Sequence, residues 1–177
     1  MKHQFGPIRQ IGYVVRDIEA SMRYWTEQLG VGPFFYFDRM PIKEFKYHGE
    51  PCDAHISAAL VQSGSLQIEL LQPRDERISP YLDFLRSGHE GVQHIAFWTE
   101  EFDTDLADAM EAGFEPVVTG YTIEPAGRIV YFADRHAPHP GMMVELSSLS
   151  PGKKKAFDAV AAAAIGWDGS DPIRRLD

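Results

Sequence analysis

GVQHIAFWTEEFD, Gly91 to Asp103, is a short apolar run with a histidine near its head and an acidic helix start behind it. IRQIGYVVRDIEA, Ile8 to Ala20, has the same shape, with Gln10 where the later stretch has His94. Laying Gln10 on His94, an offset of 94 − 10 = 84, sets QIGYVVRDIEASMRYWTEQLGV over HIAFWTEEFDTDLADAMEAGFE. Each copy opens with the Ile, Val, Phe and Tyr of a strand. Each then turns acidic, at Asp17 and Glu19 or at Glu101 and Asp103. Negative charge suits a helix N-terminus, where backbone N–H groups lack partners. Apolar residues follow at helical spacing: Ile18, Met22, Trp25 and Leu29, then Leu106, Ala109 and Met110. Glycine ends each helix, Gly30 or Gly113, as a left-handed C-terminal residue does.

The ends of the two halves match as well. SLQIELLQP (Ser65–Pro73) and GMMVELSSL (Gly141–Leu149) both read as strands carrying an apolar residue, a glutamate and a leucine, at Glu69 and Glu145. Their offset is 145 − 69 = 76, so the first half holds about eight extra residues in its middle loops. PFFYFDRM and HISAALVQ supply two further strands in the first half, EPVVTGYT and RIVYFAD in the second. Self-similarity in fixed order is a fold-level signal. It predicts an α+β protein of two βαβββ modules, one about residues 8–73 and one about 91–149, joined in a single domain over 1–149. The polar connector contains one short helix, at Pro80–Arg86. A C-terminal helical extension over 150–177 is expected to start with Ser150 as N-cap and Pro151 in its first turn. The final SDPIRRLD is expected to be loosely held.

Bulk properties narrow the function. With 177 residues and 44% hydrophobic side chains, the chain can bury a sizeable core. Its 17 basic and 26 acidic residues give a net charge of −9, which argues against nucleic acid or an anionic membrane as partner. Cys52 is the single cysteine, so no internal disulfide can form. MKHQFGPIRQ lacks the apolar segment of a secretory signal, and no apolar stretch reaches the roughly 20 residues of a membrane span. A cytoplasmic location is the expectation.

Gln10, Glu69, His94 and Glu145 hold equivalent strand positions, two in each half. If both modules form one cupped sheet, all four converge on its concave face. A divalent cation then compensates two carboxylates that would otherwise repel in a partly dry cleft. Imidazole nitrogen with carboxylate and amide oxygens suits zinc, cobalt, nickel or manganese. Each residue also has an ordinary alternative: a surface amide, a hydrogen-bonded core histidine, glutamates alternating out to solvent.

On these phrases (IGYVVRDIEASMRYWTEQLGV, LQIELLQP, GVQHIAF and GMMVELSS) the chain resembles the vicinal oxygen chelate superfamily, the glyoxalase/bleomycin-resistance/dioxygenase fold. Its nearest branch is the methylmalonyl-CoA epimerase-like group. The resemblance implies a cupped mixed sheet around a metal, with ligands falling on Gln10, Glu69, His94 and Glu145. Epimerases of this group usually carry histidine where this chain has Gln10, whereas the Gln/Glu/His/Glu set is similar to that of some glyoxalase I enzymes. Family dioxygenases also need a histidine at that position, which counts against oxygen activation. The implied activity is that of an isomerase, epimerase or lyase. It would abstract a proton α to a carbonyl and form an enediolate, with Glu145 or Glu69 as base.

A relative's second base falls near Asp53 or His55, so His55 on the concave face is a candidate proton shuttle. The alternatives are a non-catalytic binding or resistance protein with the same cup, and an extradiol-type dioxygenase. The expected partner is a small molecule with vicinal oxygens, such as a thioester or glutathione adduct, with Arg74, Arg77, Lys43 and Lys46 available at the mouth. A homodimer is compatible with the family. Cys52 shows no activating motif. His136 and His139 read as a loop before the last strand, and the lysines of GKKK, from Lys153, as a solvated helix start.

Overall fold

The computed structural model describes residues 5–122, 127–133 and 142–176. In chain order the first half runs β1 (Gln10–Val14), α1 (Ile18–Glu27), β2 (Phe34–Phe37), β3 (Ile42–Tyr47), β4 (Glu50–Pro51), β5 (Ile56–Ser63) and β6 (Leu66–Pro73). Helix α2 (Pro80–Arg86) connects it to β7 (Gly91–Thr99), α3 (Phe102–Glu111), β8 (Glu115–Thr122), β9 (Gly127–Ala133) and β10 (Met143–Ser148). Helix α4 (Pro151–Ala164) and β11 (Ile173–Leu176) follow.

The strands form one sheet in the order β11-β2-β5-β6-β1-β7-β10-β9-β8-β3-β4. Its centre contains the expected duplication. β2-β5-β6-β1 and β8-β9-β10-β7 are the same four-stranded unit, each with its first and last strands parallel. The units meet along the antiparallel pair β1–β7. The extra residues of the first half form the β3–β4 hairpin, which leaves its own module and pairs with β8 at the far edge of the other. That pairing explains the curvature. On a flat sheet, β2 and β3 would stand eight strand spacings apart, roughly 38 Å. The link from Phe37 to Ile42 spans at most about 18 Å. The sheet must curl until its two ends approach one another.

Local chemistry sets the helices. Asp17 caps α1 by accepting the Ala20 N–H at 2.8 Å. Ser79 and Ser150 cap α2 and α4, each followed by proline in the first turn. Helix α1 packs on the convex face, where Ile18 and Met22 meet Ala59, Val61, Ile68 and Leu70. Helix α3 packs there too, with Phe102 and Ala109 against Val130, Phe132 and Leu146. Of the apolar positions read from the sequence, Met110 and Leu29 are exposed, and Phe102 supplies the inward contact instead.

Two corrections concern the C-terminal segment. Residues Ile173–Leu176 are not a loose tail: they pair with β2 in parallel, and Ile173 packs with the α1 cluster. Helix α4 lies in the cup, where Phe157 and Val160 pack on Leu60 beside Phe35, Phe37 and Trp98. Burying side chains of this size stabilises by about 1.5–3 kcal/mol each, which holds α4 over the concave face. Among the described residues no helix is long and apolar enough to cross a membrane.

Candidate metal centre

Glu69, Gln10, His94 and Glu145 stand on the four adjacent central strands β6, β1, β7 and β10. The register aligns them. Gly12 is opposite both Glu69 and His94, while Ala96, two residues beyond His94, is opposite both Gln10 and Glu145. All four are buried, at 4% exposed for Gln10, 8% for Glu69, 0% for His94 and 4% for Glu145. His94 Nε2 lies 3.3 Å from Glu69 Oε2 and 3.3 Å from Glu145 Oε2. One ligand atom from each of these three falls within 4.8 Å of the others. Gln10 lines the same cavity as the two glutamates. Its Nε2 donates to Gln67 Oε1 at 2.7 Å, which leaves its carbonyl oxygen as the donor atom it can offer the cavity.

Two features unread in the sequence hold the imidazole in place. The first is Gly12. A Cβ there would lie 1.9 Å from His94 Cε1 and 2.3 Å from Nε2, so the ring occupies the space a side chain would fill. An isolated glycine in a strand often marks such a close approach, so IGYVV did carry that signal. The second is Gln93. In a regular strand neighbouring side chains face opposite ways. The β1–β7 register shifts between Gly12 and Tyr13, and this irregularity lets Gln93 and His94 both turn inward. His94 Nδ1 donates to Gln93 Oε1 at 2.8 Å. An amide oxygen only accepts, so Nδ1 is the donor to Gln93 and Nε2 is the ring nitrogen turned toward the glutamates.

That arrangement is costly without a cation. Nε2 faces two carboxylate oxygens and, fully buried, has no hydrogen-bond partner. Donor atoms around a tetrahedral ion with bonds of about 2.0–2.1 Å stand about 3.3 Å apart, the spacing found between His94 Nε2 and each glutamate oxygen. The donor set and the orphaned nitrogen both fit a divalent metal. Gln93→Leu, which removes the acceptor that fixes the tautomer, is expected to weaken zinc affinity about 10–100-fold with little change in thermal unfolding. Unchanged affinity in a zinc titration would show that Gln93 does not orient the ligand.

Tyr131 from β9 lines the cavity, its ring centroid 4.8 Å from that of His94. Its hydroxyl is 3.1 Å from that of Tyr81 on α2. Burial, then the nearby glutamate charges, push both phenols well above the ordinary tyrosine range, so both remain neutral donors.

Lys153 corrects the sequence reading. It is no solvated helix start: only 3% exposed, it lines the cavity with Gln10, Glu69, Glu145 and Tyr131 and donates to Ser147 Oγ. Burial pulls its ammonium below the ordinary lysine value, and the charges of Glu145 and Glu69 oppose that shift. The neighbouring Lys154 does stay outside, paired with Asp158 at 2.6 Å.

His55 does not join the cluster. It precedes β5, whose Ala58 and Leu60 line the cavity, and it does not line the cavity itself. Leu60 is opposite Glu69, and His55 lies five residues earlier, about 16 Å along the strand direction. Its Nε2 sits 3.0 Å from the Asp38 carbonyl oxygen. Asp53 is held in ion pairs with Arg39 at 2.7 Å and Arg77 at 2.8 Å. Arg74 is bound to Glu19 at 2.6 Å and also bonds Tyr36 and Ser57. Neither arginine, nor Lys43 or Lys46, lines the central cavity. His136 and His139 lie outside the described residues.

A family model described as glyoxalase/bleomycin resistance protein/dioxygenase superfamily matches residues 9–132, more than half of the chain. Gln10, Glu69 and His94 fall inside the match, Glu145 and α4 outside it. A comparison with curated proteins finds no match. Among solved structures, a hypothetical protein from Bacillus halodurans is similar at 19% identity with a TM-score of 0.60, covering 81% of this chain and 94% of its own. Methylmalonyl-CoA epimerase from Mycobacterium tuberculosis is similar at 19% identity with a TM-score of 0.59, covering 89% and 95%. The Streptomyces coelicolor epimerase in complex with 2-nitronate-propionyl-CoA reaches 22% identity and 0.54, covering 84% and 97%. These likenesses are of fold. The matched segment, more than half of the protein, establishes that the chain belongs to the glyoxalase/bleomycin resistance protein/dioxygenase superfamily.

Proposed function

We propose that this protein is a divalent-metal-dependent enzyme that moves a proton at a carbon next to a carbonyl, as an isomerase, epimerase or lyase does. The observation that carries the reading is the buried Nε2 of His94, without a hydrogen-bond partner between two glutamate oxygens at 3.3 Å. Gln10, Glu69, His94 and Glu145 would hold the ion. Zinc, cobalt, nickel and manganese all accept this mixed nitrogen and oxygen set. When bound, the ion supplies a Lewis acid that polarises a carbonyl and lowers the cost of negative charge on its oxygen.

The protein's own groups do the rest. Gly12 and Gln93 hold the imidazole with Nε2 inward. Glu69 and Glu145 come from different modules and flank it, so one carboxylate can take the carbon-bound proton and the other can face the opposite side. An epimerase needs both, a lyase one. Tyr131, neutral and buried, can donate to a substrate oxygen. The wall of Phe37, Met40, Leu60, Ile129 and Phe157 keeps water from the reacting carbon. The epimerases with which the chain shares its fold make a carbon acid of this kind a reasonable substrate.

The test is proton exchange, which needs no known product. Protein loaded with zinc, cobalt, nickel or manganese is incubated in D₂O with a panel of 2-oxo acids, 2-hydroxy ketones, hemithioacetals and acyl thioesters. Proton NMR then follows each α-carbon. Exchange on at least one compound, lost on chelation, is expected. Stoichiometric metal without exchange on any of them would leave a binding module rather than a proton-transfer enzyme.

A further inference from the structure

Lys153 is placed where stability alone would not put it. It is the third residue of α4, in the first turn of a helix whose free N–H groups already present partial positive charge. That turn contains no acidic residue. The side chain then leaves water for a cavity whose lining includes Leu60, Ile129 and Phe157. A cation there is opposed both by the helix dipole and by desolvation. Lys154 and Lys155, beside it in the sequence, remain exposed as such a turn favours.

What Lys153 gains lies in the cavity. Ser147 Oγ, two residues beyond Glu145 on the same face of β10, takes one of its three N–H donors. The Phe157 ring centroid is 5.5 Å from Nζ. Glu145 and Glu69 act on it through their charges. The balance of charge in the cup is informative. Two carboxylates would offset one divalent ion, and the Lys153 ammonium would then stand without a counter-charge of its own. Uncompensated charge in a dry cavity is costly, and a monoanionic ligand group removes it.

We propose that Lys153 is the substrate-binding cation of the cup, anchoring the carboxylate of a small acid whose adjacent oxygen faces Gln10, Glu69, His94 and Glu145. The inference rests on the metal-centre reading and narrows it to carboxylate-bearing substrates. It assigns a binding residue to α4, a helix outside the segment matched by the family model. Anchoring at one end fixes the distance between the bound carboxylate and the glutamates, so that only the neighbouring carbon is presented to a base.

The test uses two probes of one shape, oxamate and oxamide, which share vicinal oxygens and differ by one negative charge. Isothermal titration calorimetry on metal-loaded full-length protein reads both affinities, and elemental analysis reads metal content in parallel. Wild type is expected to prefer oxamate over oxamide by at least about tenfold. Lys153→Met and Lys153→Gln are expected to cut that preference at least about fivefold, what remains being the ion's own preference for a carboxylate, while changing oxamide affinity less than about twofold and leaving one metal per chain. Lys153→Arg is expected to keep part of the preference, which rescue of a purely structural lysine would not require. Thermal unfolding identifies any variant that misfolds, and the two neutral replacements differ enough in polarity for one to report if the other fails. Normal metal content with an unchanged oxamate preference in the neutral variants overturns the assignment of Lys153. So does wild type that binds both probes equally or neither. Wild type without metal defeats the functional reading itself, and with it this inference.

Discussion

Gly12→Ala is expected to deprive the protein of its metal while leaving the sheet in place. The backbone at Gly12 lies outside the left-handed region, so alanine meets no conformational penalty there. The conflict is with one side chain: the added methyl would lie within 2.4 Å of three atoms of the His94 ring. Ordinary carbon contacts are about 3.5–4.0 Å. The imidazole must therefore move by more than an ångström, and a ligand displaced that far leaves a bond of about 2.0–2.1 Å unmade. Zinc affinity should fall at least about a hundredfold, which is about 2.7 kcal/mol. The flanking pairs Gln10–Gln67 and Val14–Leu71 do not involve the ring, so strand pairing should survive. Zinc titration beside a circular-dichroism melt checks both parts. Wild-type affinity in a folded Gly12→Ala protein would mean that the ring's position over this glycine is not required.

Glu145→Gln is expected to cost turnover rather than fold. The amide keeps the shape of the side chain and an oxygen for the cavity but loses the capacity to accept a proton. A positioned general base contributes about a hundredfold or more, so α-carbon exchange should fall by at least about a hundredfold. Metal content should fall much less, because Gln10, Glu69 and His94 remain. Rates measured at matched metal occupancy separate the two effects. If exchange is unchanged, the proton goes elsewhere, with Glu69 the first alternative at 3.3 Å from the same imidazole.

Much of this site was legible in the sequence because duplication turns a short-range pattern into a long-range one. Gln10 and His94, Glu69 and Glu145 were paired by offset alone, and the β1–β7 seam brings them together as that pairing requires. The cap at Ser150 and the acidic helix start at Asp17 were legible because helix-end chemistry is local, whereas the cap at Ser79 was not read. What escaped depends on contacts between distant segments. KKK at 153–155 reads as a solvated run, and only the docking of α4 into the cup selects one lysine for burial. Gln93 would face away from His94 in a regular strand, and the irregular β1–β7 register turns both inward. The β3–β4 hairpin pairs with β8, a choice that edge geometry makes rather than hairpin sequence. His55 was placed on the concave face by likeness of position. It precedes β5, bonds the Asp38 carbonyl and does not line the central cavity.

Four residues from two copies of one motif are expected to hold a single divalent ion. The most direct test is anomalous diffraction from crystals of the full chain grown with zinc or manganese. One strong peak per chain is expected, about 2.0–2.3 Å from Gln10 Oε1, His94 Nε2 and a carboxylate oxygen of each of Glu69 and Glu145. A cup with no peak at saturating metal, or a peak that leaves His94 Nε2 unligated, would contradict it.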